Sequence, residues 1–323
     1  MSIWRRWWHL RSTVRDPSVM HSSEPSMKLS SHDRFAYSAI HERAPLVWPG
    51  GKKLAVYIAV CVEHFAFGEG KGLSYSPGLE HPNTYNWAWR EYGNRVGGWR
   101  LAELADRCGV PLTVLLNTAC YEHCPTLVKA LKGARGEIVA HGRTNSEHQN
   151  GMSADDERAL IAEVTAAIAQ HEGAAPRGWM SPGANPSART EDLLQQAGYG
   201  YTMDWPMDDQ PVWMKAGNGH LLSLPYPHEV NDVPAIAIHH MPADAFMAMS
   251  FDNVDQLLED ATSQGQSLAM GVTLHTFIMG QPFRRKRLKA FFDHLNAHAD
   301  DIWLTTAAEI AAEFEKQVPA HAG

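Results

Sequence analysis

Short, fully apolar runs alternate along the chain with longer segments in which apolar residues recur at helical spacing. Residues 54–62 are nine apolar residues in a row, rich in β-branched types, which predicts a strand buried on both faces of a parallel sheet. Residues 111–116 and 268–274 have the same character, whereas 97–107 and 284–297 show helical periodicity. This alternation predicts an α/β fold with a parallel sheet.

Six or seven strands can be counted, one fewer than a regular eight-fold barrel needs. The shorter ones are predicted near residues 137–141, 178–183, 199–203, 222–228 and 302–304. Ser153, with Asp156 three residues later, predicts the start of a helix that runs to about residue 172. No repeat or linker divides residues 32–323, which we expect to form a single domain. Residues 1–31 lack periodicity, and we expect them to be a disordered extension.

Composition and charge narrow the class of protein. The net charge of −8 argues against a general nucleic-acid-binding protein, which would present a basic face. No apolar run is long enough to span a membrane, and the amino terminus lacks the apolar run of a signal peptide, so we expect a cytoplasmic protein. The four cysteines match neither a zinc-ligand pattern nor a disulfide framework and are expected to be free thiols.

Polar groups follow five of the predicted strands at their carboxyl ends. They are Glu63-His64, His141 with Arg143, the Pro182-Gly183 turn, Asp204 with Asp208-Asp209, and His275. The carboxyl ends of the strands in a parallel barrel face the same side, so these groups can converge in one pocket. Each could alone be a structural polar group, but five such ends together favour an active site.

At these residues the chain resembles the polysaccharide deacetylase (NodB-homology) family, and in particular the branch that contains metal-independent allantoinase and related cytoplasmic amide hydrolases. The resemblance spans roughly residues 47–314 and rests on the ordered series of strand ends just described. It implies a distorted (β/α) barrel, here of about seven parallel strands. It also implies that the chain is a hydrolase acting on carbon–nitrogen bonds other than peptide bonds.

The chain departs from the family at the positions of the metal ligands. Where the family has two aspartates after the first strand, this chain has Glu63 and His64. His141 occupies the first of the family's two histidine positions, but Asn145 occupies the second, and His148 could replace it only if the loop folded back. The family's arginine before the Pro-Gly turn is absent, and its task would pass to Arg143.

Two kinds of site remain open. In the first, Glu63, His64 and His141, with or without His148, bind zinc or a similar cation at a weak, altered site. In the second no metal binds, Glu63 or His141 is the general base, and Arg143 polarises the substrate carbonyl. We therefore expect no cofactor or a weakly bound divalent metal. In both, the resemblance implies that His275 is the general acid for the leaving nitrogen.

The expected substrate-binding residues are Pro182, Gly183, Trp205, Asp208, Asp209 and Trp213. The two tryptophans would form flat apolar walls suited to a small planar ring, and Asp209 would orient His275 or bind a substrate N–H. The leading hypothesis is thus a hydrolase of a small cyclic ureide, imide or related metabolite. The alternatives are a metal-dependent deacetylase of a soluble N-acetyl sugar or amine, and a catalytically silent binding or assembly module.

We also expect a small-molecule substrate, no nucleic-acid or membrane partner, and a homo-oligomer, either a dimer or a tetramer. The oligomer is predicted from residues 71–95, an apparently irregular loop that contains five tryptophan and tyrosine residues. Clustered aromatic side chains on a long loop are costly to expose, so such loops commonly form interfaces or active-site lids.

Overall fold

The structure of the chain is a computed structural model and describes residues 31–68, 72–74 and 82–320. From Arg34 onward the chain forms one compact unit, and Met1–Asp33 is a separate unit. The disordered extension predicted for residues 1–31 lies, apart from Ser31, outside the described residues. No helix in the described ranges is both long enough and apolar enough to cross a membrane.

Nine strands form one sheet within the described part of the chain. They are β1 Leu54–Val62, β2 Leu112–Leu116, β3 Glu137–Ala140, β4 Gly178–Trp179, β5 Tyr201–Thr202, β6 Val212–Ala216, β7 Gly219–Ser223, β8 Leu268–His275 and β9 Ile302–Thr305. The two longest, β1 and β8, are the apolar runs whose unbroken hydrophobicity requires cover on both faces.

Ten α-helices lie between or after these strands in the described ranges. They are α1 Thr84–Tyr92, α2 Gly98–Cys108, α3 Cys120–His123, α4 Pro125–Lys132, α5 Ala154–Glu172, α6 Thr190–Gln196, α7 Ala243–Gln264, α8 Thr276–Met279, α9 Pro282–Ala297 and α10 Ala307–Gln317. The predicted start of α5 is confirmed, because the Ser153 hydroxyl accepts a hydrogen bond of 3.1 Å from the Asp156 amide.

The strand order is β6-β7-β5-β4-β3-β2-β1-β8, with β9 paired to β1. Every strand pair is parallel except the β6–β7 hairpin. Strand β8 pairs with β1 from Leu54 to Cys61 and occupies one of its edges. The opposite edge is shared, because β9 pairs with residues 54–57 and β2 with residues 58–62.

The outer edge of β8 meets the chain segments that flank the β6–β7 hairpin, so the sheet curls toward closure. The Ala269 amide donates to the Asp209 carbonyl at 2.8 Å, and the Thr273 amide donates to the Val230 carbonyl at 3.0 Å. Asn231 forms a further parallel bridge to Thr273. The predicted distorted (β/α) barrel is confirmed, with two corrections: there are nine strands instead of about seven, and β6 is antiparallel.

Alternation along the strands decides which side chains enter the barrel. In β1, Ala55, Tyr57, Ala59 and Cys61 belong to the cluster inside the curled sheet, whereas Leu54 and the other even-numbered residues pack under the helices. Because successive side chains of a strand point to opposite faces, Glu63 continues the inward series. The same parity follows Val139 to His141 and Ala269 to His275.

The region predicted as an irregular aromatic loop, residues 71–95, is helical from residue 84 onward; residues 71 and 75–81 lie outside the described part of the chain. Residues 84–92 form α1, which continues directly into the π-helical turn Gly93–Gly97. Trp87 and Trp89 pack against the main core, whereas Tyr85 is 70% exposed. Tyr75 lies outside the described residues. The homo-oligomer therefore stays a prediction.

Candidate active site

Glu63 lies at the carboxyl end of β1, inside the barrel, and is only 5% exposed. Its Oε1 atom is 3.5 Å from Nε2 of His141 and 3.4 Å from Nε2 of His275. The side-chain amide of Asn145 donates a 2.9 Å hydrogen bond to the same oxygen. One carboxylate thus lies between two imidazoles that come from the ends of β3 and β8.

His275 is held by an aspartate that the sequence analysis did not identify. Its Nδ1 atom is 2.6 Å from Oδ1 of Asp232, and its backbone amide donates to Oδ2 of the same carboxylate at 2.8 Å. Burial opposes the charged form, but the carboxylates of Glu63 and Asp232 favour it, and the pKa of His275 is raised well above its ordinary value. His275 is therefore charged at neutral pH and can give up a proton from Nε2.

His141 is oriented by a backbone carbonyl. Its Nδ1 atom is 2.7 Å from the carbonyl oxygen of Met180, which can only accept, so Nδ1 carries the proton. In the neutral ring, Nε2 then has a free lone pair and faces Glu63. Asn117 holds the strand end, since its amide donates to the His141 carbonyl and accepts from the His64 amide.

The carboxylate of Glu63 is strongly stabilised in its charged form. Burial raises its pKa. The charge of His275 and the contacts with the imidazoles of His141 and His275 have a larger, opposite effect, and the net pKa is lowered to about 2. Such a carboxylate is a weak proton acceptor at neutral pH, whereas it is well suited to hold a neighbouring imidazole in its charged state.

Two asparagines secure Glu63 and leave acceptor atoms unused. Asn145 donates its amide to Oε1, and Asn94 donates its amide to the Glu63 carbonyl at 2.9 Å. Because both partners only accept, these contacts fix the orientation of both amides. The Oδ1 atoms of Asn94 and Asn145 are buried and have no hydrogen-bond partner within the described part of the chain. An unmade buried hydrogen bond costs on the order of 1–3 kcal/mol, so each atom would be stabilised by an N–H donor.

Arg143 does not join this cluster. Its guanidinium is 44% exposed and forms ion pairs with Glu147 and with Glu163, the latter at 2.8 Å. The expectation that it polarises the substrate carbonyl is therefore corrected, because two surface carboxylates already occupy its donors. Arg90 is the buried cation whose pKa responds to Glu63: burial lowers that pKa to about 10, while Glu63 opposes the shift.

The predicted substrate-binding residues Asp208, Asp209 and Trp213 also lie elsewhere. The Asp209 carbonyl binds the amide of Ala269, which precedes His275 by six residues of β8, or about 20 Å. Asp208 pairs with Arg43 at 2.5 Å, and the Trp213 indole donates to the carbonyl of Val318, beyond the end of α10. Asp209 therefore does not orient His275; Asp232 does.

The Pro182-Gly183 turn borders the centre. A Cβ atom added at Gly142, whose φ is +69°, would lie 2.5 Å from Pro182, so the turn packs tightly beside His141. Gly183, with φ of +63°, faces the ring of His148, and a Cβ there would lie 2.7 Å from Nε2 of that ring. The side-chain amide of Asn185 lies 3.1 Å from Nδ1 of His148, so this ring is used to pack the turn.

Two further predicted strand-end residues have structural partners. Asp204 accepts hydrogen bonds from the Ser181 amide at 2.8 Å and from its hydroxyl at 2.7 Å. Burial raises the pKa of Asp204 to about 7. The Trp205 indole donates to Oε1 of Glu191 in α6 at 2.7 Å. Both residues therefore stabilise the wall formed by β4, β5 and α6.

The proposed metal ligands are not assembled as a set. His64 faces His123, with ring centroids 4.6 Å apart, and its Nδ1 atom has no hydrogen-bond partner within the described ranges. Near the centre, the residues of the described chain whose ligand atoms all lie within 4.8 Å of one another are Cys61, Glu63 and His275. The ligand set expected from the family positions, His64 with His141 and Glu63, therefore does not fit a shared ion in this geometry.

No protein-family model matches the chain. It is 28% identical over 247 residues to a protein of Schizosaccharomyces pombe named as a polysaccharide deacetylase, covering 71% of this chain and 76% of the relative. It is 22% identical over 256 residues to the peptidoglycan deacetylase of Helicobacter pylori, covering 71% of this chain and 87% of that protein.

Solved structures show the same fold. A polysaccharide deacetylase structure from Pseudomonas aeruginosa PAO1 superposes with a TM-score of 0.76 at 23% identity, covering 87% of this chain and 98% of the other. The structure of PuuE allantoinase superposes with a TM-score of 0.78 at 22% identity, covering 89% of this chain and all 100% of that one. The predicted resemblance in fold to polysaccharide deacetylases and to an allantoinase is thus confirmed.

Proposed function

We propose that the protein hydrolyses a carbon–nitrogen bond, other than a peptide bond, in a small cyclic ureide or imide. The observation that carries this proposal is the arrangement of Glu63 between the Nε2 atoms of His141 and His275, with Asp232 behind His275. Amide hydrolysis needs a general base that activates water and a general acid that protonates the leaving nitrogen, and the two imidazoles beside Glu63 can take these roles.

His275 acts as the general acid. The bond between its Nδ1 atom and Asp232 directs the transferable proton to Nε2, where the leaving nitrogen receives it as the carbon–nitrogen bond breaks. Asp232 stabilises the charged ring and fixes its orientation, in the manner of the carboxylate of a catalytic triad.

His141 acts as the general base. Its Nε2 lone pair takes a proton from a water molecule while the water oxygen bonds to the carbonyl carbon and the π electrons move to the carbonyl oxygen. The carbonyl then re-forms as the carbon–nitrogen bond breaks, and the leaving nitrogen takes its proton from His275. Glu63, whose pKa of about 2 makes it a poor proton acceptor, favours the charged form of His275 and lies 3.5 Å from the ring of His141. No step of this scheme passes through a metal ion.

Two observations favour a small substrate with several N–H groups. The Oδ1 atoms of Asn94 and Asn145 lie on residues that contact Glu63, and both lack donors. A cyclic ureide carries N–H groups on both sides of a carbonyl, whereas an N-acetyl group carries one. Unpaired buried acceptors discriminate strongly against ligands that cannot pair with them.

A second candidate function is metal-dependent removal of an acetyl group from a soluble N-acetyl sugar or amine. The names of the curated relatives favour it, as does the cluster of Cys61, Glu63 and His275. Thiolate, carboxylate and imidazole are good zinc ligands, and the carboxylate behind His275 is a common partner of a metal-bound histidine.

The deciding experiment measures hydrolysis of cyclic ureides, cyclic imides and N-acetyl compounds, with the metal content determined on the same preparation. We expect turnover of at least one cyclic substrate, with only a modest loss after exhaustive chelation. N-methylation of that substrate at its ring nitrogens should lower kcat/KM through Asn94 and Asn145. Turnover of N-acetyl compounds alone, abolished by chelation and restored by zinc, would establish the second candidate instead. The cytoplasmic location and the homo-oligomer are further parts of this proposal.

A further inference from the structure

A cluster of possible metal ligands lies on the outer helices, away from the strand ends. Asp255 of α7 contacts His294 of α9, with 2.8 Å between Oδ1 and Nε2. His298 follows one helical turn after His294, and the two rings are 4.4 Å apart. Ligand atoms of all three residues lie within 4.8 Å of one another.

The chemistry of this set suits a transition metal. Two histidines four residues apart lie on one face of a helix and can both reach one ion. Nδ1 of His298 is 3.0 Å from the His294 carbonyl, so this nitrogen carries the proton and Nε2 is left to bind. Tetrahedral zinc holds its ligand atoms about 3.3 Å apart, given metal–ligand distances of about 2.0–2.1 Å. Small side-chain rotations reach that spacing from the present one.

The surroundings favour a cation and hold the ligands in place. Helix α9 ends at Ala297 and His298 is its cap, so the cluster lies at the negative end of the helix dipole. Phe251 of α7 packs edge-on against the His294 ring, with 4.9 Å between centroids, and limits its rotation. The side chain of Asp255 is 55% exposed and that of His294 is 20% exposed, so an ion can enter from solvent.

We propose that Asp255, His294 and His298 bind one divalent transition-metal ion, with zinc as the preferred occupant. The ion joins α7 to α9 and keeps at least one position for water. This site is separate from the residues around Glu63 and plays no part in the proposed hydrolysis. Its role is to stabilise the packing of α7, which covers β1 and β8, against α9, which contacts β9.

The test is calorimetric titration of the full-length protein with zinc alone. The double variant His294→Ala/His298→Ala should bind one equivalent less than the wild type, and Asp255→Asn should bind that equivalent at least tenfold more weakly. The matched control is His41→Ala/His239→Ala, which removes two histidines on exposed parts of the surface and should leave the stoichiometry unchanged. Circular dichroism establishes that each variant is folded.

Two further measurements keep the outcome unambiguous. Zinc should raise the melting temperature of the wild type and of the control, but not that of the double variant, and hydrolysis should be the same in all of them. Zinc bound near Glu63 would persist in every one of these variants. Unchanged stoichiometry and an unchanged zinc-dependent melting shift in the folded double variant would overturn the proposal.

Discussion

Two buried carboxylates, Glu137 and Glu63, lie near opposite ends of the barrel and have opposite surroundings. Glu137, at the amino end of β3, accepts hydrogen bonds from the Thr113 hydroxyl at 2.8 Å, the Tyr201 hydroxyl at 2.9 Å and the Ala308 amide at 2.9 Å. Glu63, at the carboxyl end of β1, has one neutral amide donor and two imidazoles. The first is surrounded by hydroxyl and amide donors, and the second by two imidazoles, which can accept or release a proton.

This difference separates stability from chemistry. Burial raises the pKa of Glu137, although hydrogen bonds from Ala308, Thr113 and Tyr201 oppose the shift. The pKa of Glu63 is lowered to about 2, because burial is outweighed by His275 and His141. Glu137 can bind the first turn of α10 to the base of the barrel but has no neighbour to exchange a proton with. Glu63 has two such neighbours, and it lies where barrel enzymes place their reacting groups.

The largest expected effect is the loss of activity when Glu63 is replaced. Glu63→Gln should lower kcat/KM by roughly 10²–10⁴-fold, because His275 loses one of the charges that favour its charged form and the carboxylate between the two imidazoles is gone. Steady-state kinetics on the substrate found by the hydrolysis screen measure this. The control is Glu137→Gln, which should stay within a few-fold of wild type. Equal losses in the two variants would contradict the division of roles.

The second expected effect is a loss of stability when Glu137 is replaced. Glu137→Ala should lower the free energy of unfolding by roughly 2–4 kcal/mol, because three donors lose their acceptor and a cavity remains. Urea denaturation at neutral pH measures it. The variant should keep its activity per folded molecule, and a marginal stability change would mean that water replaces the carboxylate at little cost.

A smaller effect on activity is expected when Asp232, which contacts the proposed general acid His275, is replaced. Asp232→Asn removes one of the charges that raise the pKa of His275, so the alkaline limb of kcat/KM should move to lower pH. At neutral pH the loss should be on the order of tenfold, below that of Glu63→Gln. A pH profile measures the shift. A uniform loss with an unmoved limb would mean that Asp232 only supports the fold.

The smallest effect is in the acid stability of the fold. The folded pKa of Glu63, about 2, lies below its ordinary value of 4.5, so its contribution is complete above about pH 4.5 and is lost as pH falls toward 2. The pKa of Glu137 is raised in the folded protein, so ionisation of Glu137 lowers the stability of the fold as pH rises, which is the opposite dependence. Melting temperatures of Glu63→Gln should therefore fall less steeply below pH 4.5 than those of wild type. A parallel decline in both proteins would show that other carboxylates dominate.

The strand ends could be predicted because their signal is local. An unbroken apolar run followed at once by Glu63, His141 or His275 marks both the buried strand and the group it delivers. Strand β6 has no such signal, since Val212–Ala216 mixes a lysine with apolar residues. The Gly217-Asn218-Gly219 turn was the available clue to the β6–β7 hairpin.

The residues that contact these strand-end groups could not be predicted, because they are distant in sequence and become neighbours only in the folded protein. Asp232 follows an irregular segment and reaches His275 only through the bridge between Asn231 and Thr273. Asn94 lies in a helical region that its aromatic content made resemble a loop. The prediction that Asp209 orients His275 was wrong because the sequence does not show which end of β8 lies beside Asp209. In the structure it is the end at Ala269, far from His275.

The shared edge of β1 sets an order in which the protein must fold. The first half of that strand pairs with Ile302–Thr305, far along the sequence, and the second half with Leu112–Leu116. The strand that leads into Glu63 therefore stays incomplete until residues 302–305 have left the ribosome. Contacts so distant in sequence slow folding and expose an apolar strand in the meantime. Nascent chains shortened before residue 302 should consequently depend on chaperones, although every residue around Glu63 has already been synthesised.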